Sequence, residues 1–416
     1  MDIFKSINGH FTKLNPMYYQ SNKQNKRQTG NTMEIARSLQ QIQSSYIREI
    51  LAAASDPSVI SLAGGLPDEQ TFPIELMKPT LEKLSEMPQV FQYGATAGYA
   101  PLLNFLKTYM SLPETHMAMA CTGSQQGLDL IARAYINPGD TVVMEAPSYL
   151  GAMQVFGLVS ANIATVSQTE AGPNLDELEA CFKQHSPKMF YAVPDFHNPT
   201  GVCWSLETRK QVAKLCIEHK VAFIEDAPYR ELRFQGEALP LVSDFCPQDS
   251  IVLRSFSKIA SPGLRIGIVT GKVSYLEPLI KVKQGADLHS SVPMQALLLG
   301  LLEHEKFPEH MEKIRTLYQS RYQVLAEALQ TQLPESCQLK SVDGGMFVWV
   351  TLPECDTFAL AKSLLGNGVA VVPSPVFYPA EQKAQAALRL NFTNATPEQL
   401  KEAVTRLAEG LKLALV

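Results

Sequence analysis

The sequence predicts an α/β protein, with a large domain built on a mostly parallel sheet between helices and a smaller α+β domain at the C-terminal end. Three observations carry this. The chain has 416 residues, 45% of them hydrophobic and 19% charged, enough for a sizeable core and a prior of two domains. From about residue 117, short β-branched runs alternate with longer stretches of helical spacing. After about residue 300 that alternation gives way to a long amphipathic helix and a few short strands.

The segment 1–32 carries Lys5, Lys13, Lys23, Lys26 and Arg27 against Asp2 alone and is rich in Asn and Gln. It reads as a flexible, weakly basic extension, without the apolar core of a secretory signal. Residues 33–60 are expected to contribute to the small domain, 61–300 to form the large domain and 301–416 the small C-terminal one. Buried strands are predicted at Thr141–Met144, Met189–Val193, Val221–Ile224, Ile251–Leu253 and Ile266–Thr270, with helices at Gln125–Tyr135 and Leu206–His219 between them. Strands separated by helices imply a largely parallel sheet covered on both faces. In the C-terminal part the pattern predicts a helix over Phe307–Gln330, the run Gly344–Val350, a helix over Thr357–Leu365, strands at Val369–Val372 and Leu388–Phe392, and a closing helix from Pro397.

Composition also excludes. A formal net charge of -5 gives no reason to expect a nucleic-acid partner, and no apolar run reaches the length of a membrane span. Seven scattered cysteines with no C-x-x-C pair argue against a disulfide framework and a cysteine-rich zinc site, and a cytoplasmic protein with no metal is expected. The stretch Gly267 to Val273 lacks the spacing of a phosphate-binding P-loop. His304-Glu305 is followed by Pro308 where a zinc protease helix needs histidine.

In a parallel sheet, ligand chemistry gathers in loops beyond the strand ends, and the unusual residues fall there. Gly123-Ser124-Gln125-Gln126-Gly127 opens a helix, where free amides and the helix dipole make an anion site; the alternative is a plain N-cap by Ser124. Asn198-Pro199-Thr200-Gly201 reads as a turn, and Asp226 ends a strand three residues before Tyr229. Lys258 sits among small hydroxyl residues in RSFSKIASPGLRIG, with Arg265 close behind. It is either a solvated lysine or, beside a cation in an apolar site, an amine of lowered proton affinity that attacks carbonyl compounds. An anion-binding helix start, a strand-end carboxylate and such a lysine are together the parts that would hold a phosphorylated aldehyde with a ring nitrogen, as in pyridoxal 5′-phosphate.

At this point the chain resembles the fold type I pyridoxal-phosphate aminotransferases, most closely the subgroup containing 2-aminoadipate and kynurenine aminotransferases. SLAGGLP, YGATAGYAPL, TGSQQGLDL, EAPSY, PDFHNPTG, EDAPY, SFSK with PGLRIG, and RLNF occur in order from Ser61 to the C-terminal region. The resemblance implies a seven-stranded, mostly parallel sheet sandwiched by helices, and a Schiff base on Lys258. It implies that Asp226 pairs with the pyridinium nitrogen, that Tyr229 and Asn198 meet the ring's phenolate oxygen and that Tyr149 stacks on the ring. Ser124, Gln125, Ser255, Ser257 and Arg265 would surround the phosphate. Tyr93 would reach the phosphate of a neighbouring subunit, implying a homodimer with shared sites. Arg389 would clamp the substrate α-carboxylate, with Gly65 and Asn198 beside it and Arg48 near the substrate side chain.

The implied reaction is transamination between an amino acid and a 2-oxo acid such as 2-oxoglutarate, by ping-pong exchange. Elimination or decarboxylation with the same cofactor is an alternative. A DNA-binding sensor is another, but such sensors need a further N-terminal domain. One departure stands out: His197 precedes the asparagine turn where close relatives often have glutamine.

Overall fold

The computed structural model describes residues 35–40, 50 and 56–414. The expectations for the extension 1–32 and for Arg48 lie outside the described residues. Strand β1 (Ile60–Ser61) is followed by β2 (His116–Cys121), β3 (Thr141–Ala146), β4 (Asn162–Thr169), β5 (Gly172–Pro173), β6 (Met189–Ala192), β7 (Ala222–Asp226), β8 (Ser250–Ser255) and β9 (Gly267–Lys272). Then come β10 (Gln338–Leu339), β11 (Phe347–Thr351), β12 (Val369–Ala370), β13 (Val372–Pro373) and β14 (Ala387–Asn391).

The large sheet has the order β2-β9-β8-β7-β6-β3-β4-β5. Pairing is parallel from β8 through to β4, and antiparallel where β9 joins β8 and β2 and where β5 joins β4. The expected sheet of seven strands is therefore present with an eighth, the two-residue edge β5. The strands read from sequence fall at β3, β6, β7, β8 and β9, while β2 and β4 went unread: β4 mixes exposed and half-buried positions, which leaves no apolar run to find.

Successive side chains on a strand face opposite sides, so a sheet buried on both faces sends alternate residues into two cores. Val142, Met144, Tyr191, Ile224 and Leu253 enter one apolar cluster, whereas Val143, Phe190, Ala192, Phe223 and Trp204 enter another. The helix Leu206–His219 contributes Val212, Ala213 and Cys216 to the second cluster; Ser124–Tyr135 contributes Leu128 and Ile131 to the first. This double cover leaves Asp226 at the end of β7 and Ser255 at the end of β8, where the loops collect.

A second, antiparallel sheet has the order β10-β11-β14-β13. The helix Phe307–Gln332 runs two residues past the predicted end, and the predicted strand Val369–Val372 is divided into β12 and β13. Strand β12 leaves this sheet to pair in parallel with β1, so Ile60–Ser61 lies against Val369–Ala370. The chain around Ala63 to Leu66 is thereby carried past β14, where Leu62 O accepts from Asn391 N. No helix among the described residues is long and apolar enough to cross a membrane.

Candidate active site

The first wall of the site is the junction of β2 with the helix Ser124–Tyr135. Gly123, not Ser124, occupies the cap position, at a φ of 77°, and no side chain caps the helix, so the alternative of a plain serine N-cap does not hold. The first helix amides are left for an outside acceptor. Space explains the glycines: a Cβ on Gly123 would lie 2.4 Å from Arg265 Nη2, and one on Gly267 would lie 2.4 Å from Ser124 N. Gly267 is paired with both Cys121 and Ser255, so this close approach brings the helix start, the end of β8 and Arg265 to one place. Arg265, itself left-handed at a φ of 52°, donates from Nη2 to Thr122 O at 3.3 Å.

The second wall is the end of β7. Tyr191 on β6 is in register with Ile224, so Asp226, two residues on, is on the same face and diagonal to it. Tyr191 donates its hydroxyl to Asp226 Oδ2 at 2.7 Å, while Oδ1 is buried with no partner. Burial raises the Asp226 carboxyl to about 7, and the tyrosine bond opposes this only in part. Such a carboxyl is poised to accept a cationic N–H partner. Glu225, on the opposite face, is spent structurally: its two oxygens accept from Val242 N and Ser243 N.

Lys258 follows β8 and donates to Gly65 O at 2.7 Å. Burial, then Arg265, then Arg389 bring its amine down to about 8, which makes the neutral amine accessible near physiological pH. Arg389 on β14 is 3% exposed. Its guanidinium carbon lies 4.3 Å from the centre of the Phe347 ring and 5.1 Å from that of Phe377. Nη1 donates to Asn198 Oδ1 at 2.8 Å and Nη2 to Ala63 O, leaving Nε buried without a partner. Asn198 in turn donates from Nδ2 to the Tyr229 hydroxyl at 3.4 Å. Tyr149 donates to Gln125 Oε1 at 3.1 Å, and its ring lies so close to Gly151 that a Cβ there would sit 2.6 Å away.

These groups surround one cavity of about 320 Å3. Gly65, Ser124, Gln125, Tyr149, Asn198, Asp226, Tyr229, Ser255, Ser257, Lys258, Arg265 and Arg389 all line it. Tyr93 does not: it is 81% exposed, edge-on to His289 with ring centres 5.9 Å apart. Sequence reasoning missed Tyr191, Phe347 and Phe377, and also Leu150, Gln154 and Val193 in the lining. Tyr191 lies inside a strand that was read, but β6 is buried at every position, so no alternation marks which side chain faces Asp226.

Three cationic side chains and one carboxyl thus share a small cavity with an uncapped helix start. Such an arrangement can bind a phosphate, pair with a ring N–H⁺, offer an amine and grip a carboxylate. Comparisons agree. Residues 57–407 match the family described as aminotransferase class I and II. The chain is 38% identical to the 2-aminoadipate transaminase of Thermus thermophilus, over 90% of this chain and 96% of that one. It is 36% identical to aromatic-amino-acid aminotransferase 1 of Thermococcus litoralis, over 89% and 92%. Among solved structures, the α-aminoadipate aminotransferase of Thermus thermophilus, complexed with N-(5′-phosphopyridoxyl)-L-leucine, superposes with a TM-score of 0.85 at 37% identity, covering 92% of this chain and 98% of that one.

Proposed function

The chain belongs to the class I and II aminotransferases, enzymes that use pyridoxal phosphate, and on that premise we propose that it exchanges the amino group of 2-aminoadipate, aromatic or aliphatic L-amino acids with 2-oxoglutarate in the cavity of Lys258. The residues fit the cofactor. Asp226 Oδ1, the orphaned buried oxygen, suits a protonated ring nitrogen, and that cation returns the carboxyl to its ionised form. The helix start at Ser124 and Gln125, with Ser255, Ser257 and Arg265, suits a phosphate dianion. Tyr149 supplies a ring face, and Tyr229 with Asn198 supplies hydrogen bonds to a phenolate oxygen.

When bound, the cofactor supplies an electron sink for the pair released as the substrate's Cα–H bond breaks. The chain supplies the rest. Lys258 Nζ, neutral above about 8, is the base that takes the Cα proton. Arg389 receives the α-carboxylate through its unpartnered edge and is held from behind by Asn198 and two aromatic rings. With the carboxylate and phosphate fixed at two ends, only one Cα substituent can stand across the ring, which selects the bond that breaks.

Two further parts of this reading concern assembly. Tyr93, exposed and outside its own cavity, is proposed to complete the phosphate site of a second copy in a homodimer. Residues 61–300 and 301–416 are proposed as its two domains, with the segment before Ser61 joined to the second through the β1–β12 pair.

The observation that carries the reading is the company kept by Lys258: a lowered amine, an orphaned carboxyl oxygen and an orphaned guanidinium N–H in one cavity. The test is a panel of amino donors with 2-oxoglutarate, with products quantified, alongside borohydride trapping and peptide mapping. Equimolar 2-oxo acid and glutamate, and label on Lys258, are expected. Ammonia or carbon dioxide as product, or label on another peptide, overturns it.

A further inference from the structure

Behind the cavity lies a buried pair that the reaction as described does not use. His197 is 1% exposed and Glu145 is fully buried. Glu145 is at the end of β3, on the sheet face away from Asp226, and its Oε1 accepts from Gln168 Nε2 at 2.9 Å and from Trp204 Nε1 at 3.2 Å. Its Oε2 has no hydrogen-bond partner, and the atom it faces is His197 Nε2, at 3.8 Å. The other imidazole nitrogen, Nδ1, is 3.0 Å from Thr200 Oγ1.

The backbone shows what this ring holds. His197 N donates to Val202 O at 2.8 Å, and Gly201 N donates to His197 O at 2.7 Å. The turn that presents Asn198 is thus closed on His197 by main-chain bonds and on Thr200 by the imidazole. Its far side admits no adjustment: a Cβ on Gly201 would stand 2.7 Å from Phe347 O. Asn198 then makes two side-chain bonds, to Tyr229 and to Arg389. A rotation of this turn moves both the hydrogen bond offered to the cofactor ring and the support of the substrate clamp.

Glu145 Oε2 and His197 Nε2 are in contact but too far apart for a hydrogen bond, and the imidazole is held through Nδ1. Burial pushes Glu145 up to about 8 and His197 down to about 3, so each side chain favours its neutral form. Nδ1 and the Thr200 hydroxyl share one hydrogen bond, while Nε2 faces the Glu145 carboxyl.

We propose that His197, bonded to the hydroxyl of Thr200 and packed against the Glu145 carboxyl, is the positioning residue that sets the Asn198 carboxamide between Tyr229 and Arg389. This rests on the transaminase reading of the cavity. Glutamine in place of Glu145 gives it a sharp test, because it keeps the shape of a neutral acid: its oxygen accepts from Gln168 and Trp204 while its NH2 occupies the place that faces His197.

The test compares wild type with Glu145→Gln, His197→Asn and His197→Ala as cofactor-bound proteins, after thermal melts establish that each is folded. Two readouts are taken: the apparent pKa of the bound cofactor's absorbance, and kcat/KM for several amino acids. His197→Ala is expected to move the absorbance pKa by about half a unit or more and to lower kcat/KM for all donors by about 10- to 100-fold, as a displaced orienting group does. His197→Asn keeps an amide where Nδ1 stood and should recover part of both. Glu145→Gln should stay within about 3-fold of wild type, because the bonds from Gln168 and Trp204 and the packing against His197 are retained. A folded His197→Ala with unmoved absorbance pKa and unchanged kcat/KM overturns the assignment, and so does a Glu145→Gln as damaged as His197→Ala. A wild-type protein that binds no cofactor overturns the transaminase reading and this one with it, so the two failures are told apart.

Discussion

Replacing Arg389 with lysine keeps a cation at the clamp and removes only the shape of the guanidinium. In the structure Nη1 is committed to Asn198 Oδ1 at 2.8 Å and Nη2 to Ala63 O, and the guanidinium carbon lies over the rings of Phe347 and Phe377. An ammonium cannot hold both neighbours and still offer two parallel donors to a carboxylate. One lost charge-assisted bond costs about 1.5–3 kcal/mol, and loss of the flat contact with the rings about 0.5–1 kcal/mol. A combined cost near 3 kcal/mol corresponds to about 100-fold in kcat/KM. A second effect separates this variant from a simple loss of affinity. Burial brings Arg389 from 12.5 to about 10, still protonated at neutral pH. The same burial acting on an amine of ordinary pKa about 10.4 leaves it near 8, so the variant should lose its remaining activity as pH rises past about 8. The assay is kcat/KM for acidic, aromatic and aliphatic L-amino acids, and for the side-chain-matched amines that lack a carboxylate, across pH 6.5–9. Every amino acid should fall by a similar factor while the amines are little changed. A loss confined to acidic donors, or an equal loss for amines, would refute the assignment of Arg389 to the α-carboxylate.

Three other outcomes follow from the same geometry. In cofactor-free protein, labelling of Lys258 by an amine-directed acylating reagent should rise about tenfold per pH unit up to about 8 and then level; Arg265→Met, which removes one of the lowering charges, should move the break to higher pH, and an unmoved profile contradicts the coupling. Gly123→Ala should cost about 1 kcal/mol or more in stability, because its φ of 77° is left-handed, and should also weaken cofactor binding by displacing Arg265; equal cofactor affinity in a titration would count against the cup. Glu145→Gln should flatten the dependence of stability on pH. A carboxyl raised from 4.5 to about 8 stabilises the fold fully below its unfolded value, and that contribution is lost as pH rises toward 8. Wild type should therefore fall relative to the variant by up to about 1.4 kcal/mol per pH unit in that window; parallel denaturation curves would show Glu145 already ionised.

What the sequence made legible, and what it hid, divides along a physical line. Parallel strands buried on both faces read as continuous apolar runs, so β3, β6, β7, β8 and β9 could be found without knowing their order. The groups that meet an outside ligand lie in short loop motifs, where turn chemistry and helix starts are local properties; Ser124, Asn198, Asp226 and Lys258 were visible for that reason. Cross-strand relations are not local. That Tyr191 holds one oxygen of Asp226 depends on a register of β6 against β7 that no single strand encodes. Phe347 reaches Arg389 only because Asn391 is paired with Phe347, which puts the arginine diagonally across from the ring. The His197 and Glu145 pair belongs to the same class, joining the end of β3 to a loop more than fifty residues later. Long-range pairs of this kind decide how firmly each visible residue is held, and a site whose nominated side chains are all present still works only if they are aimed. The orphaned atoms of the cavity, Asp226 Oδ1 and Arg389 Nε, are where that aiming ends: each is buried with its other polar atoms already bound to protein, so each has one direction left in which to accept a ligand. A variant that frees the bound side, such as Tyr191→Phe, should therefore let Asp226 turn and weaken cofactor binding although Tyr191 itself is absent from the cavity lining; unaltered affinity would show that the carboxyl is aimed by something else.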